Sequence, residues 1–386
     1  MPEPIAFPLP YQAMLAISSD VEYTSWQSQL GLIELAGRHG LEMAFSYWCF
    51  GDPELTWRLL EDDNTPSSQA NAAFSLARAG ILDTLHSFGG ITDGRGAAFD
   101  RSRIAPALQR LRDAGVETRV YSNHGTIHDV QNVGGDWASY QKGDVPGHPS
   151  YHLDLTTGFG IRFFWADIDS DSERSFFGIG PKAGKPLFSP QAARDGQRIL
   201  RFRRFRGPFT RAPHAGTFAA QLDMVLSHPV EGYSVVYQHL GITRDGDGPA
   251  RQVVPPYFDP KGMAAFERLA SLQRDGVLLV TTTERLLVYA LLMQARPWAI
   301  EHHEDIFQVT FARRFEHCGV SFDLRKADLQ GWTLPLNEAT RVVARFDGEE
   351  WELPIAEVGG RRYATIPWTR IAMLDELEKA KSLARA

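Results

Sequence analysis

The chain of 386 residues contains only two cysteines, Cys49 and Cys318, far apart in sequence. Two isolated cysteines build neither a disulfide framework nor a zinc-finger spacing, so the protein is expected to be indifferent to redox state. Long apolar runs are also missing. The longest, LLVYALLMQA at 286–295, falls well short of the ~18 residues of a membrane span and reads as a buried helix. The first residues, MPEPIAFPLPYQAML, carry neither a basic segment nor a long apolar one; no signal peptide is expected, and the expected location is cytoplasmic. Positive charge is not in excess: Lys and Arg total 40 against 47 Asp and Glu, a net charge of -7, and the one basic run, RFRRFRG at 201–207, is short. That balance excludes a protein held to nucleic acid by its charge.

Apolar residues make up 43% of the chain and aromatic residues 11%, including nine Trp. This is material for a large core, and for surfaces on which sugars stack. Short apolar runs alternate with amphipathic stretches over nearly the first 300 residues. QAMLAIS (12–18), LEMAFSYW (41–48), ILDTLHSFG (81–89), VETRVYSNHG (116–125), GIRFFWAD (160–167), RILRFRRF (198–205), YSVVYQHL (233–240) and GVLLVTT (276–282) read as strands. Helices are expected at 28–40, 67–80 (with a serine cap and a glycine stop), 102–115, 217–228, 262–276 and 284–295. Repeated βα alternation predicts a parallel sheet covered by helices, and seven or eight strands suit a closed or nearly closed β/α barrel. After Pro297 the pattern changes to short alternating segments with Asp-Gly and Gly-Gly turns, ending in the polar helix MLDELEKAKSLARA. The expected division is therefore a barrel over 1–296 and a small antiparallel β domain over 297–386.

Reactive residues of such barrels sit where strands end. The first predicted strand runs into SSDVE, placing Asp20 and Glu22 at its end; the third ends in Asp83 and His86; the fourth in Asn123 and His124, with His128 four residues on. Later strands end in Trp165 and Asp167, in Arg203, Arg204 and Arg206, and in Gln238 and His239. Each has a structural reading too: Asp20 or Thr24 as a helix cap, the arginines as a solvated strand face, the histidines as surface groups. Taken together, a carboxylate and two imidazoles make a facial site for a divalent ion, and a further carboxylate and His supply base and acid. His302 and His303 read as a junction loop.

These motifs resemble the polysaccharide deacetylases of the NodB-homology type, metal-dependent carbohydrate esterases with a distorted (β/α)7 barrel. SSDVE resembles a spaced version of that family's acid pair, LHSFGG its His-Ser motif, and VVYQHLG its late histidine motif, while GVLLVTTTERLLVYAL resembles its closing strand and helix. The resemblance spans roughly 12–295. It departs where Val21 separates the two acids, where Gly90 replaces the second motif histidine, and where an Arg-Pro-Pro motif is missing. It implies a metal held by Asp20, His86 and His124, with His128 as a substitute. It further implies Asp20 or Glu22 as base, His239 as acid, and one of Arg203, Arg204 or Arg206, with Arg204 preferred, orienting the base. Trp165, Asp167, Asn123 and Asp83 are then expected to meet a saccharide substrate. The implied ion is Zn2+ first, with Ni, Co, Mn or Fe as alternatives. The implied activity is removal of an N- or O-acyl group from a sugar, in surface polysaccharide metabolism. Two rivals are a glycoside hydrolase using Asp20, Glu22, Asp83 and Asp167 without a metal, and a carbohydrate-binding barrel without turnover. The sequence carries no signal of oligomeric state.

Overall fold

The computed structural model describes residues 2–51, 56–61, 64–89, 101–124, 129–134, 141–166, 186–207, 213–227, 232–245, 248–252, 258–336 and 341–384. Within them the chain is a mixed α/β structure, with one large curled sheet and several small antiparallel ones. In chain order the first part runs β1 (Ala13–Ser19), α1 (Trp26–Arg38), β2 (Ala44–Tyr47), α2 (Ala70–Arg78), β3 (Leu82–His86), α3 (Arg101–Asp113), β4 (Val120–Ser122), α4 (Leu153–Phe159) and β5 (Phe163–Trp165). It continues with β6 (Phe188–Ala192), β7 (Arg198–Phe202), α5 (Phe218–Leu226), β8 (Gly232–Gln238), β9 (Ile242–Thr243), β10 (Arg251–Gln252), α6 (Pro260–Arg274), β11 (Leu278–Thr281) and α7 (Thr283–Ala295).

Strands β1, β2, β3 and β11 of the large sheet are buried along their whole length, which is why they read as continuous runs rather than alternating ones. β1 lies at its middle. One edge pairs in parallel with β8 along the whole strand, while the other pairs with β11 over Ala13–Ala16 and with β2 over Ser18–Ser19. From β2 the sheet continues in parallel through β3, β4, β5 and β7. β6 adds to β7 antiparallel. Its Pro190 and alternating exposure mark it as an edge, and the sequence reading passed over it. Beyond β7, Phe205 bridges in parallel to Val236 of β8, with Phe205 N–H donating to Val235 O at 2.6 Å and Tyr237 N–H donating to Phe205 O at 3.0 Å. These bonds draw the two flanks of the curled sheet together.

Two cores lie on the two faces. Ala13, Leu15 and Ile17 of β1 face one way, into a cluster with Ile33, Leu76, Leu108, Leu222 and Phe266 of the surrounding helices. Met14 and Ala16 face the other way, toward Leu286–Leu292 of α7. Between Leu286 and Leu292 that helix is apolar all round because it is covered on every side there. Beyond it lie β12 (Trp298–His303), β13 (Ile306–Phe311), β14 (Arg314–His317), β15 (Val320–Asp323), β16 (Thr333–Leu336), β17 (Arg341–Phe346), β18 (Glu349–Glu352), β19 (Ile355–Val358), β20 (Arg361–Thr365) and α8 (Met373–Leu383). Phe307, Val309, Trp332 and Val342 share the cluster of Leu286–Leu292, so the C-terminal strands pack on α7 rather than stand apart. Helix α8 returns to the first core through Met373, Leu377 and Ala380. The change of pattern at Pro297 thus marks a change of secondary structure across which the core continues.

Two expected caps are replaced. The side chain of Ser25, not Asp20 or Thr24, accepts from Ser28 N–H at the start of α1. At α2 the N-cap is Gln69 without a side-chain bond, while Ser67 Oγ donates to Arg58 O. Asp20 and Glu22 are therefore buried acids with no capping duty.

Candidate metal and acid–base site

Where β1 ends, the pairing with β8 continues for one more residue, as Asp20 N–H donates to Gln238 O at 2.8 Å. The chain then turns. Thr56 Oγ1 donates to Val21 O and Thr24 O, pinning the turn from outside. On the β8 side, Leu240 N–H donates to Ser19 Oγ, and a Cβ at Gly241 would fall 2.1 Å from Thr24 Oγ1, so only glycine fits there. The residues following Glu22 and His86, Tyr23 and Ser87, have φ of +56° and +50°. Left-handed backbone is uncommon for such residues and costs of order 1–3 kcal/mol, a cost tolerated where side chains must be aimed.

The outcome is a buried cluster drawn from several strand ends. His86 Nε2 lies 2.7 Å from Glu22 Oε1. His124 Nε2 lies 3.5 Å from the same oxygen, and His239 Nε2 lies 3.5 Å from Glu22 Oε2. Asp20 Oδ2 is 3.8 Å from His86 Nε2, while Asp20 Oδ1 accepts from Arg204 Nη1 at 2.8 Å. The Arg204 guanidinium is fully buried against two rings, 3.8 Å from the centroid of Trp165 and 4.2 Å from that of Tyr237. Trp48, at the end of β2, stacks on His86 and meets His124 edge-on, closing the apolar side.

The electrostatics follow from burial. Burial alone would raise the Glu22 carboxyl, but His86 and His239 outweigh it and hold the group well below the usual carboxylate range. Burial likewise works to lower His86, and the charges of Asp20 and Glu22 reverse this and raise it. His239 is raised in the same way, against burial, first by Glu22; its Nδ1 is bonded to Pro213 O at 3.0 Å. Asp20 Oδ2 and Glu22 Oε2 are buried without a hydrogen-bond partner among the described residues. Glu22, His86 and His124 form one group whose ligand atoms lie close enough to hold a metal ion, and Asp20, Glu22 and His239 form a second. Two imidazoles and a carboxylate, with acceptor oxygens left over, are a donor set suited to a divalent transition metal.

The strand ends bearing the histidines are clamped by amide side chains. Asn123 exchanges two bonds with Val133, its Nδ2 donating to the carbonyl and its Oδ1 accepting from the N–H. Asn132 does the same with the backbone of His124. Gln131 reaches the end of β3, accepting from Phe88 N–H and donating to Gly89 O.

Of the residues singled out in the sequence, Asp20, Glu22, His86, His124, His239, Arg204 and Trp165 come together. Asn123 spends its amide on Val133. Asp83 accepts from Glu284 N–H at the start of α7 and from Thr84 Oγ1, apart from the cluster; burial pushes its carboxyl up to about 7. Arg203 and Arg206 are not in the Asp20 pair. His128 and Asp167 lie outside the described residues. His302 and His303 lie exposed on β12. Sequence reasoning missed Trp48, Tyr237, Gln131, Asn132 and Asp129. The last three follow the β4 end in DVQNV, a stretch without periodicity, and only the fold brings them back onto it. No protein-family model matches this chain, and neither a curated protein nor a solved structure matches it.

Proposed function

We propose that the protein is a metal-dependent hydrolase that removes an N- or O-acyl group from a sugar, on a barrel of the (β/α)7 type. The observation that carries this reading is the convergence of His86, His124 and His239 on one buried carboxylate, Glu22, beside a second carboxylate held by an arginine. The hydrogen bonds from Phe205 to β8 support the closed form of the barrel. The sugar reading rests on the resemblance of SSDVE, LHSFGG and VVYQHLG to the deacetylase motifs.

Glu22, His86 and His124 would hold the ion, Zn2+ being the first choice for an N,N,O set. This moves the carboxylate ligand from Asp20, expected in the sequence, to Glu22, because one oxygen of Asp20 is already engaged by Arg204. A bound divalent ion acidifies water and polarises the acyl carbonyl. Asp20, aimed by the Arg204 hydrogen bond on its Oδ1, takes the proton of the attacking water. Glu22 raises His239, favouring its charged form, and with Nδ1 bonded to Pro213 O the ring turns Nε2 to the site, from which it gives a proton to the leaving nitrogen or oxygen as the acyl bond breaks. Trp48, Trp165 and Tyr237 keep bulk water from these groups.

The test is release of acetate from N-acetyl and O-acetyl sugars by protein supplied with Zn2+, with and without a chelator. Turnover that stops with chelator supports the reading. Glycosidic cleavage that survives the chelator replaces it with the glycosidase reading, and saccharide binding without any turnover replaces it with the binding-protein one.

A further inference from the structure

We infer that Asp129 is a positioning residue for His124, fixing the ring so that Nε2, and not Nδ1, faces Glu22. The inference rests on the proposed metal site and adds to it a residue that no motif marks.

Asp129 is 1% exposed and its carboxylate is divided in use. Oδ1 accepts from Gln131 N–H at 3.2 Å, while Oδ2 lies 3.4 Å from His124 Nδ1. Neither Oδ2 nor His124 Nδ1 has a hydrogen-bond partner among the described residues. The ion-pair partner of each is the other, and Nδ1 satisfies both by carrying the proton toward the carboxylate, which leaves the Nε2 lone pair for an ion shared with Glu22 Oε1. A carboxylate behind a histidine in this way fixes its tautomer and orientation and makes it a better ligand.

The segment carrying Asp129 is held for this task. Asn132 is bonded reciprocally to the backbone of His124, and Gln131 ties the same segment to Phe88 and Gly89 beyond His86. Asp129 and His124 are therefore held near each other through their main chains, and the carboxylate cannot swing away without giving up the Gln131 N–H on its Oδ1. His86 has no such carboxylate on its Nδ1, which is buried without a partner among the described residues. Asp129 is thus specific to His124.

The test is Asp129→Asn, which keeps an oxygen for Gln131 N–H and removes the acceptor charge behind the ring. Two quantities are read: the Zn2+ dissociation constant by chelator competition, and the tautomer of His124 from its ring 15N shifts in metal-free protein. The expected result is 10–100-fold weaker Zn2+ binding in the variant, partial recovery in Asp129→Glu, and Nδ1–H with a bare Nε2 in wild type. A merely structural role would lower thermal stability without changing the tautomer. Unchanged Zn2+ affinity, or the opposite tautomer in wild type, overturns the inference. Should Asp129→Asn fail to fold, the wild-type tautomer still decides. If wild type binds no Zn2+ while the tautomer is as stated, the metal reading fails and the Asp129–His124 pairing stands.

Discussion

Glu22 Oε1 and His86 Nε2 meet at 2.7 Å, both residues buried, one from the turn after β1 and the other from the end of β3. Without a metal this is an ion pair in a low-dielectric site, and with His239 on the other oxygen it accounts for both the depressed carboxyl and the raised imidazoles. Removing one partner of such a pair leaves uncompensated charge, at a cost of about 3 kcal/mol or more.

Glu22→Gln should therefore be less stable than wild type by about that amount in chelator-treated protein, and the difference should depend on pH. The stabilisation from Glu22 is full above about pH 4.3, the ordinary carboxylate value, and is lost as pH falls through its depressed folded value. That from His86 and His239 is full below about pH 6.5 and is lost as pH rises through their raised folded values. Urea unfolding of the two proteins should show the largest difference between about pH 4.5 and 6.5. A difference that does not vary with pH would contradict the pairing.

Asp83 acts in the opposite sense. Its carboxyl is raised to about 7 by burial beneath α7, so its contribution is most favourable below its ordinary value and is lost as pH rises toward 7. The loss amounts to as much as about 4 kcal/mol. Asp83→Asn should abolish this decline, becoming more stable than wild type at pH 8 by urea unfolding and leaving activity intact. A strong loss of turnover would return Asp83 to the site.

Much of this was readable in advance, and particular residues say why. The βα alternation and the strand-end positions of Asp20, Glu22, His86, His124 and His239 are visible because a buried parallel strand must be apolar until it stops, so its first polar residues mark the mouth of the sheet. The edge strand β6 was not readable, since FSPQA holds a proline and a single bulky apolar residue, too little to set a strand period. Nor was the division of labour between Asp20 and Glu22. It depends on Arg204 arriving from a segment 184 residues away to claim one oxygen of Asp20, and no local pattern records which acid an arginine will meet. Asp83 lies three residues before His86 on β3, and because side chains alternate along a strand the two point to opposite faces, so only one of them can meet the cluster.

Arg204→Lys should cut kcat by roughly 10²-fold or more while leaving the metal content near that of wild type. Lysine keeps a charge but cannot lay a planar group against Trp165 and Tyr237 or repeat the guanidinium geometry on Asp20. Loss of metal along with activity would show that Asp20 is a ligand rather than a base.

His239→Asn should lower kcat by about 10²–10⁴-fold with little change in metal content, and should remove one limb of the pH–rate profile. The loss should be smaller for substrates whose leaving group departs without a proton. Equal loss for good and poor leaving groups would contradict a proton-donating His239.

The most direct measurement is the metal content of the purified protein by elemental analysis, wild type beside His86→Ala, each after reconstitution with Zn2+. The account predicts about one equivalent in wild type and almost none in His86→Ala. Wild type that holds no metal after reconstitution would contradict it and leave Glu22 and its histidines as a buried ion-pair cluster.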